Sequence, residues 1–325
     1  MMSLTQPTGA AANGRVAVVL TMKFREKGID RTIEHLRAAS QLRAAKVILV
    51  ADAKDPEAKA RANAAITFLR DGLEQAGVVD SVLGVDAYST ARRWYYGLKE
   101  AFRDDVAGAL LFPGDIRTDK SGRVLSEEQI ELLRRLVSGV AADKLLLVDY
   151  SSTDLFKTRF DGAVMRPAID LLYPDLASDA QALGVSKMRT EMALVGKRFF
   201  LDFLKHSHIS QWGPDPIPQL ALHALRRRKQ KIEEIDIDVM RFGSLGEMVD
   251  DADTRNAAGQ VEQVVRLVDV LMADRIERSK RLVMTSRSEV LEEFDRLTEL
   301  VRLASDVKLR ALDQVRSWLA GAVEE

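Results

Sequence analysis

Val16 to Met22 reads VAVVLTM, a short apolar run rich in β-branched residues, and such a run predicts a buried strand. An apolar periodicity through Ile29, Ile33 and Leu36 follows it and predicts an amphipathic helix. The next apolar run, KVILVADA, passes through Asp52 and predicts a second strand. This alternation of strand and helix indicates a mostly parallel sheet with right-handed crossovers.

The same alternation continues to about residue 150. Further strands are predicted in VDSVLGV (79–85), GALLFPGD (108–115) and DKLLLVDY (143–150), and a later one in KIEEIDIDVM (231–240). Ser126 and Gln129 have the spacing of a capping box, which predicts a helix that begins directly after Ser126. A helical pattern runs from Met188 to Leu204, and Pro216 predicts the start of another helix. The whole pattern predicts an α/β, Rossmann-like fold.

The C-terminal part of the chain has a different pattern, long, highly charged and helical. We predict a leader without fixed structure at 1–14, one α/β domain at 15–253 and a helical hairpin at 254–325. The hairpin is interpreted as a packing or oligomerisation element, with a lid as the alternative. Its apolar positions at helical spacing are Val261, Val264, Val265, Val268 and Leu271, then Leu291, Phe294, Leu297 and Leu300.

Composition excludes several functional classes. The chain has 48 Lys plus Arg against 49 Asp plus Glu, a net charge of −1, which provides no general field for binding nucleic acid. Its 325 residues contain no Cys, so disulfides and thiolate metal sites are excluded. No apolar run reaches the roughly 20 residues of a membrane span, and the N-terminus lacks the features of a signal peptide. A cytoplasmic protein is expected.

Known nucleotide-binding and hydrolase fingerprints are also missing. The sequence has neither GxGxxG nor GxxxxGK[ST], and it has no GxSxG elbow. In an open parallel sheet, ligands bind at the carboxyl ends of the strands, near a switch in strand order. The residues that follow the predicted strands are therefore the candidates for a binding site.

Four segments in a fixed order carry a resemblance to glycosyltransferases of the A-fold class, within them most closely to the mannosylglycerate synthase family. They are VVLTMKFRE (18–26); STARRWYYGLKEAF (89–102) with LLFPGDIRTD (110–119); MRPAIDLLYP (165–174) with LGVSKMRTEMA (183–193); and WGPDPIPQLALHAL (212–225) with IDVMRFGSLGEM (237–248). The resemblance implies a nucleotide-sugar transferase fold with a C-terminal helical appendage.

The resemblance implies a donor site at the first strand ends. Lys23, Glu26 and Asp52 would hold the nucleotide base and ribose. Asp52 also has a simpler interpretation, because an acidic residue just beyond a strand often caps the following turn.

The metal motif departs from the family. The usual Asp-x-Asp is here Pro113-Gly114-Asp115, so only Asp115 keeps a carboxylate. The third family ligand, a His, aligns with Met240, whose thioether suits hard cations poorly. The resemblance therefore leaves a divalent Mg²⁺ or Mn²⁺ in doubt, with at most a weak site at Asp115. Basic residues that flank the same strand ends could neutralise a diphosphate instead, or could simply be solvated: Arg92, Arg93, Arg117 and Lys120.

The acceptor side of the resemblance rests on four residues. Ser152 and Thr153 match an acceptor-contacting stretch, and Gly184 lies in the acceptor loop, where the family's acidic member is missing. Asp215 aligns with an active-site acidic residue, which the resemblance implies orders the acceptor hydroxyl or stabilises charge on the sugar. Asp215 precedes Pro216, so it could equally be the N-cap of the following helix.

The resulting hypothesis is a hexosyltransferase that moves sugar from GDP-mannose or a UDP-sugar to a small hydroxylated acceptor such as glycerate. The alternative is a catalytically degenerate protein of the same fold, acting as a nucleotide-sugar sensor or an assembly partner. Pro113 and Met240 motivate this alternative. In both cases we expect no nucleic-acid partner, and a homo-oligomer formed through the C-terminal helices remains open.

Overall fold

The computed structural model describes most of the chain. The described residues are 15–23, 29–52, 81–84, 90–114, 116, 121–138, 142–152, 164–182, 192–207, 212, 216–232, 235–245 and 257–321, with isolated positions between 60 and 72. The predicted leader at 1–14 lies outside them.

Seven strands form one sheet in the order β3-β2-β1-β4-β6-β5-β7. The five strands predicted from apolar runs up to residue 150, and the later one before residue 240, are confirmed. The strands are β1 (Val16–Lys23), β2 (Lys46–Asp52), β3 (Ser81–Gly84), β4 (Gly108–Pro113), β5 (Lys144–Ser152), β6 (Ala193–Gly196) and β7 (Asp236–Leu245).

The sheet is mostly parallel, as the sequence predicts. β1 pairs in parallel with β2 and β4, and β2 with β3. The exception is β6, which runs antiparallel to both of its neighbours, β4 and β5. β5 therefore points the same way as β4, and β7 is parallel to β5. The carboxyl ends of six strands consequently lie at one edge of the sheet.

Helices cover both faces, so the fold has three layers. The helices among the described residues are α1 (Ile29–Gln41), α2 (Thr90–Ala101), α3 (Glu127–Ser138), α4 (Arg166–Leu172), α5 (Pro174–Ala182), α6 (Lys197–His206), α7 (Ile217–Lys229), α8 (Ala257–Ser279) and α9 (Arg287–Gly321). Side chains alternate along each central strand between two hydrophobic clusters: Val19 points to the face covered by α2 and α4–α9, and Val18 to the face covered by α1 and α3.

Two glycines allow close approach between layers. A Cβ on Gly97 of α2 would lie 2.2 Å from the Val19 Cγ1 atom of β1. A Cβ on Gly196, at the start of α6, would lie 2.4 Å from the carbonyl oxygen of Ala142. That carbonyl also accepts a hydrogen bond from the Arg198 amide (2.7 Å). Both glycines are therefore needed for packing between layers.

Local signals set several helix starts. The Ser126–Gln129 capping box is confirmed, because the Ser126 amide donates to Gln129 Oε1 (2.9 Å) and the Gln129 amide donates to Ser126 Oγ (3.2 Å). The helix predicted after Pro216 is also confirmed as α7. The helical pattern predicted from Met188 to Leu204 is wrong at Ala193–Gly196, which forms the fully buried strand β6, and is confirmed from Lys197 as α6. Residues 188–191 lie outside the described part of the chain. A buried four-residue strand has no period by which to distinguish it from a buried helix.

The predicted C-terminal helices are present as α8 and α9. Val264, Val268 and Leu271 of α8 are buried in the same hydrophobic cluster as the sheet residues. The helices therefore share the core of the α/β region. The domain boundary at residue 253 stays a prediction. Within the described part of the chain, no helix has the length and apolar character to cross a bilayer.

Candidate functional site

The strand order fixes where a ligand cleft is expected. The chain runs from β1 outward to β2 and β3, and then returns to the other side of β1 to form β4. The order therefore reverses between β1 and β4. In open α/β sheets the crevice at the carboxyl ends of the two strands at such a switch point is where ligands bind.

Backbone pairing brings the predicted donor residues to this crevice. Lys23 and Asp52, the last residues of β1 and β2, are direct register partners. On the other side of β1, Thr21 is the partner of Pro113, and the Gly114 amide donates to the Thr21 carbonyl (3.0 Å). Since neighbouring strands lie about 4.8 Å apart, the backbones at the ends of β2, β1 and β4 fall within about 10 Å.

Helix α2 starts at the same edge. Trp94, which is buried, donates from Nε1 to the Thr21 hydroxyl oxygen (2.7 Å), and this bond fixes the first turns of α2 over the end of β1. Arg92 and Arg93 precede Trp94, so they lie one or two residues closer to the helix N-terminus. Arg92 is exposed, whereas Arg93 is only 4% exposed. Of the predicted diphosphate-binding residues in the described part of the chain, Arg92 therefore presents its side chain to solvent at this edge.

The predicted acceptor residues follow β5. Ser152 ends β5 and pairs with Leu245 at the end of β7. The β5–β7 pairing shifts by one residue after Asp149, because Asp149 pairs with Arg241 but Tyr150 pairs with Gly243. Phe242 is the extra residue of this bulge, and bulges are common next to active sites. β6 lies between β4 and β5, so these two strands are about 10 Å apart, and the register puts Ser152 about three residues, or another 10 Å along the strand direction, beyond the end of β4.

An aromatic cluster holds the chain just before the predicted catalytic residue Asp215. The Trp212 ring is fully buried, 5.6 Å from the Tyr95 ring of α2 and 5.2 Å from the Phe203 ring of α6. The Trp212 Nε1 atom is buried and has no hydrogen-bond partner among the described residues. Pro216, which is also buried, is the N-cap residue of α7. Trp212, which precedes the 213–215 segment, is therefore held near α2, and Pro216, which follows it, is buried at the start of α7.

Several predicted site residues lie outside the described part. Lys23, Asp52 and Ser152 are described by their backbones alone. The residues outside the description altogether are Glu26, Asp115, Thr153, Gly184 and Asp215, with Arg117 and Lys120. Their roles, and that of Arg92, stay predictions.

The described residues do not supply a donor set for a hard divalent cation. Pro113 is buried at the end of β4 and has no side-chain ligand atom. Met240 lies inside β7, five residues before its end, and its side chain packs against the hydrophobic cluster under α1 and α3. Among the described residues there is also no group of three His, Asp or Glu side chains that could hold a metal ion. Pro113 and Met240 therefore cannot serve as ligands of Mg²⁺ or Mn²⁺.

A partly buried charged cluster joins α6 to α7. Asp202 accepts hydrogen bonds from Arg227 (2.7 and 2.5 Å) and from His223 Nε2 (2.8 Å). The Arg227 hydrogen bonds, helped by His223 and opposed by burial, lower the pKa of Asp202 to about 2. Burial lowers the pKa of His223 to about 4, although Asp202 opposes this. This cluster, which we call the Asp202 clasp, closes the two ends of the segment that contains Trp212 and Asp215.

A second cluster attaches α8 to the α/β region. The buried Tyr173 hydroxyl donates to Asp274 Oδ2 (2.7 Å) and to the Leu271 carbonyl (2.9 Å). Arg226 of α7 also binds Asp274 (2.6 Å), and the Arg278 guanidinium lies 4.6 Å from the centre of the Tyr173 ring. Burial and the Asp274 charge raise the pKa of Tyr173, so its hydroxyl stays protonated.

A cavity of about 640 Å³ lies at the opposite edge of the sheet. It is lined by Arg15, Arg43, Arg134 and Arg135, with Glu131 the acidic member. Arg15 precedes the first residue of β1, whereas the predicted donor residues follow the last. Since a strand rises about 3.3 Å per residue, this cavity is roughly 20 Å or more from the switch-point crevice and does not belong to it.

Comparison with solved structures identifies the architecture. A structure of glucosyl-3-phosphoglycerate synthase from Mycobacterium tuberculosis, in complex with Mn²⁺, UDP and glucosyl-3-phosphoglycerate, matches with a TM-score of 0.51 at 12% identity, over 81% of this chain and 80% of that one. This chain has the glycosyltransferase A fold. Mannosyl-3-phosphoglycerate synthase from Rubrobacter xylanophilus also shares it, with a TM-score of 0.51 at 13% identity, over 84% of this chain and 77% of that one.

A third structure shows which ligands that fold holds elsewhere. It is the Mycobacterium tuberculosis enzyme with Mn²⁺, UDP-glucose and glycerol 3-phosphate, with a TM-score of 0.51, 12% identity and coverage of 81% and 80%. No protein-family model matches the chain, and no curated protein does so either. The predicted glycosyltransferase A fold with its C-terminal helices is therefore confirmed at the level of structure.

The sequence did not predict the contacts that hold the elements around the site together, which are the Trp94–Thr21 hydrogen bond and the Asp202 clasp. Thr21 is the one polar residue in VAVVLTM, and that exception signals a buried hydrogen bond of the kind that Trp94 makes. In the Asp202 clasp, His223 and Arg227 are spaced i, i+4 on one helix, which puts them on one face. Their shared partner on α6 has no signal in the sequence.

Proposed function

We propose that this protein is a glycosyltransferase that moves a hexose from a nucleoside-diphosphate sugar to a small hydroxylated acid. The observation that carries the proposal is the crevice between β1 and β4, on a fold shared with structures that hold UDP and UDP-glucose. Lys23 and Asp52 end adjacent strands at this crevice, which supports a role in holding the base and ribose. Glu26, which follows β1, is proposed as the third member of this donor set.

The diphosphate would be neutralised by protein cations. Transfer breaks the bond between the anomeric carbon and the diphosphate oxygen, so negative charge develops on the leaving diphosphate. A fixed guanidinium stabilises such charge through paired hydrogen bonds. Arg92 is exposed in the first turn of α2, and the Trp94–Thr21 bond holds that turn over β1. Asp115, which follows β4, is proposed to contact the donor from the other side of the crevice.

The acceptor would lie between the ends of β4 and β5. Its hydroxyl oxygen forms the new bond to the anomeric carbon, and its proton leaves to the diphosphate or to solvent. Asp215 is proposed to orient this hydroxyl, because the aromatic cluster holds Trp212, three residues before it, next to α2. Ser152, Thr153 and Gly184 would line the acceptor side. Glycerate or a phosphorylated glycerate suits the proposal, since the neighbours carry phosphoglyceric acid or glycerol 3-phosphate.

Two neighbour structures hold Mn²⁺ together with UDP and a further ligand. In this chain Pro113 and Met240 occupy two positions that the resemblance assigns to metal ligands, and neither supplies a hard oxygen or nitrogen donor. We therefore propose that donor binding does not require a divalent cation. Location in the cytoplasm is likewise proposed.

Calorimetric titration tests the donor site first. UDP, GDP, UDP-glucose and GDP-mannose would each be titrated with and without Mn²⁺. We expect one of the two nucleotide families to bind without metal. Binding that depends strictly on Mn²⁺ would contradict the proposed cation-based neutralisation, and failure of all four to bind would contradict the function itself.

An arginine variant then tests the proposed diphosphate contact. We expect Arg92→Gln to weaken binding of the nucleoside diphosphate about 10-fold or more, the usual value of a charge-assisted hydrogen bond. Arg103→Gln is the matched control, because Arg103 follows the other end of α2 and pairs with the Glu100 carboxylate (2.5 Å). If the two variants bind the nucleoside diphosphate equally well, Arg92 does not contact the diphosphate.

Pro113 and Met240 also favour a second candidate function. A protein that lost its metal ligands could keep the donor crevice as a nucleotide-sugar sensor or as part of an assembly. Transfer of labelled hexose from the bound donor to glycerate or phosphoglycerate, followed by mass spectrometry, separates the two functions. Tight binding without transfer to any acceptor of this class would favour the sensor.

A further inference from the structure

The cavity of about 640 Å³ at the amino-terminal edge of the sheet is separate from the proposed donor site. It is formed by the residue before β1, the turn between α1 and β2, and the last turns of α3. Its volume falls in the range of small-molecule sites, about 300–1,000 Å³. Its charged lining residues are Arg15, Arg43, Glu131, Arg134 and Arg135. We call this cavity the arginine cavity.

Two of the four arginines have a structural role. Arg134 donates from Nε to the Gln41 carbonyl (2.6 Å) at the end of α1, which is a common role of a cation near a helix C-terminus. Glu131 lies between Arg134 and Arg135, with N–O distances of 3.4 and 3.5 Å. Contacts within the chain therefore explain why Arg134 and Arg135 are present.

Arg15 and Arg43 have no such explanation. Both side chains are exposed, and neither forms an ion pair within the part of the chain that the structure describes. Asp104, which lies in the electrostatic field of Arg15, is instead bound by Lys46 (2.9 Å). The guanidinium groups of Arg15 and Arg43 are therefore available to a ligand.

Arg43 is also unusual in its backbone conformation. Its φ is 56°, in the left-handed region that is unfavourable for residues with a side chain. Arg43 is the second residue after Gln41, the end of α1, and Gly is the residue most often found at such a position. Since no ion pair of the described residues holds the Arg43 side chain, a binding role explains why an arginine occupies this strained position.

The charge around the arginine cavity favours an anion with about two negative charges. Four arginines against one glutamate leave an excess of three positive charges. The C-termini of α1 and α3 end here, and each carries about half a negative charge, so together they offset about one. The remaining charge matches one phosphate group, which carries about −1.5 to −2 at neutral pH. Guanidinium groups bind phosphate oxygens through paired hydrogen bonds.

We propose that the arginine cavity is a second binding site, for a small phosphorylated organic molecule. Arg15 and Arg43 bind its phosphate group, and its carbon skeleton lies next to the apolar residues Val16, Leu42 and Val137 of the lining. The proposal is independent of the nucleotide site, because the two sites lie at opposite edges of the sheet.

Calorimetric titration of the full chain with glucose 6-phosphate tests the site, with glucose as the uncharged control. We expect one molecule to bind per chain, more weakly as the salt concentration rises. The double variant Arg15→Gln, Arg43→Gln should bind about 100-fold more weakly, since each charge-assisted hydrogen bond contributes about 10-fold. A parent chain that binds glucose equally well, or that does not bind the phosphate at all, would overturn the proposal.

Two further variants locate the binding. Arg37→Gln, Arg266→Gln removes two exposed arginines elsewhere on the surface, so it should bind like the parent chain. Arg92→Gln should also bind glucose 6-phosphate unchanged, because Arg92 lies at the other edge of the sheet. Equal weakening in the surface control would mean that general surface charge attracts the probe. Weakening in Arg92→Gln would place the probe in the donor crevice, and either result contradicts the proposal.

A glycine substitution separates binding from stability. Arg43→Gly removes the guanidinium and also relieves the left-handed backbone, so we expect about 10-fold weaker binding together with an equal or higher thermal unfolding midpoint. A lower midpoint with unchanged binding would show that Arg43 is structural.

The phosphate could also belong to a lipid headgroup, which vesicle flotation distinguishes. We expect the chain not to float with phosphatidylcholine vesicles that contain phosphatidylinositol 4-phosphate. Binding to these vesicles without affinity for glucose 6-phosphate would overturn a soluble ligand.

Discussion

The region around β1, β2 and α2 differs from the region of α6, α7 and α8 in what holds its layers together. The first relies on close apolar packing, with Gly97 against the side chain of Val19. The second relies on partly buried charged groups, in the Asp202 clasp and around Asp274. Apolar contacts do not depend on protonation, whereas charged clusters do. The two regions should therefore respond differently to acid and to substitution.

The largest difference is expected at the Asp202 clasp. Asp202→Ala leaves the Arg227 guanidinium and His223 without their shared partner, and both side chains are at most one fifth exposed. Removing one member of such a pair costs about 3–5 kcal/mol of unfolding free energy. Urea unfolding of the parent chain and of Asp202→Ala at neutral pH measures this loss.

The control for this experiment is a pair at the surface. Glu262 and Arg266 are 2.8 Å apart, but both side chains are more than half exposed. Glu262→Ala should therefore cost less than about 1 kcal/mol. If both substitutions cost the same, the Asp202 clasp is not the buried connection that we describe.

The second-largest effect is expected from acid, which should lower the unfolding free energy through the region of α6, α7 and α8. The pKa of His223 is about 4 in the folded chain and 6.5 in the free side chain, so the unfolded chain binds this proton first. Stability is then lost as the pH falls from about 6.5 to about 4, by on the order of 2–3 kcal/mol. Protonation of Asp202, whose pKa falls from 3.8 to about 2, extends the loss to lower pH.

Unfolding midpoints across this range, for the parent chain and for His223→Gln, measure the effect. The variant cannot bind the proton, so its stability should change less between about pH 6.5 and 4. An identical pH dependence in the two proteins would assign the acid sensitivity to other groups.

A substitution in the apolar region should have a smaller effect and no dependence on pH. Gly97→Ala improves helix propensity by up to about 1 kcal/mol, but its Cβ would meet Val19 Cγ1 at 2.2 Å. We expect a net loss of about 1–3 kcal/mol, measured by urea unfolding. In the double variant Gly97→Ala, Val19→Ala the costs should be less than additive; simple additivity would mean that the two residues do not press on each other.

The smallest effect is expected at Tyr173. Tyr173→Phe removes the hydroxyl that donates to Asp274 and to the Leu271 carbonyl, while Arg226 still binds Asp274. The loss should be about 1 kcal/mol, the usual net value of one hydrogen bond. Thermal unfolding of the variant checks this, and an unchanged midpoint would show that the arginines alone hold α8.

The sequence was sufficient to predict the strands that carry long apolar runs, because continuous β-branched runs such as VAVVLTM have few other stable arrangements. It was insufficient for β6, whose four residues ALVG lie within a segment of helical periodicity. Without this strand, β4 and β5 would each have one unpaired edge, and β6 satisfies the hydrogen bonds of both. Such pairing is a property of the whole sheet and has no local signal.

In the candidate site, too, some features could be predicted from the sequence and others required the structure. Strand-end residues such as Lys23 and Asp52 could be proposed from the pattern, because the carboxyl ends of parallel strands share one edge. That they are direct register partners required the structure. The same is true of the Trp94–Thr21 bond, which joins residues 73 positions apart. Contacts at that distance along the chain depend on how helices pack, and periodicity does not encode that.

The position of β6 also affects how the chain can be made. β6 lies between β4 and β5 but follows both in sequence, so during synthesis the ribosome releases these two strands before the strand that joins them. Until residue 196 emerges, β4 and β5 each present an open edge, and open edges are sites of aggregation. Completion of the sheet is therefore a late, long-range step, and a nascent chain that stalls before β6 should be the form that chaperones must protect.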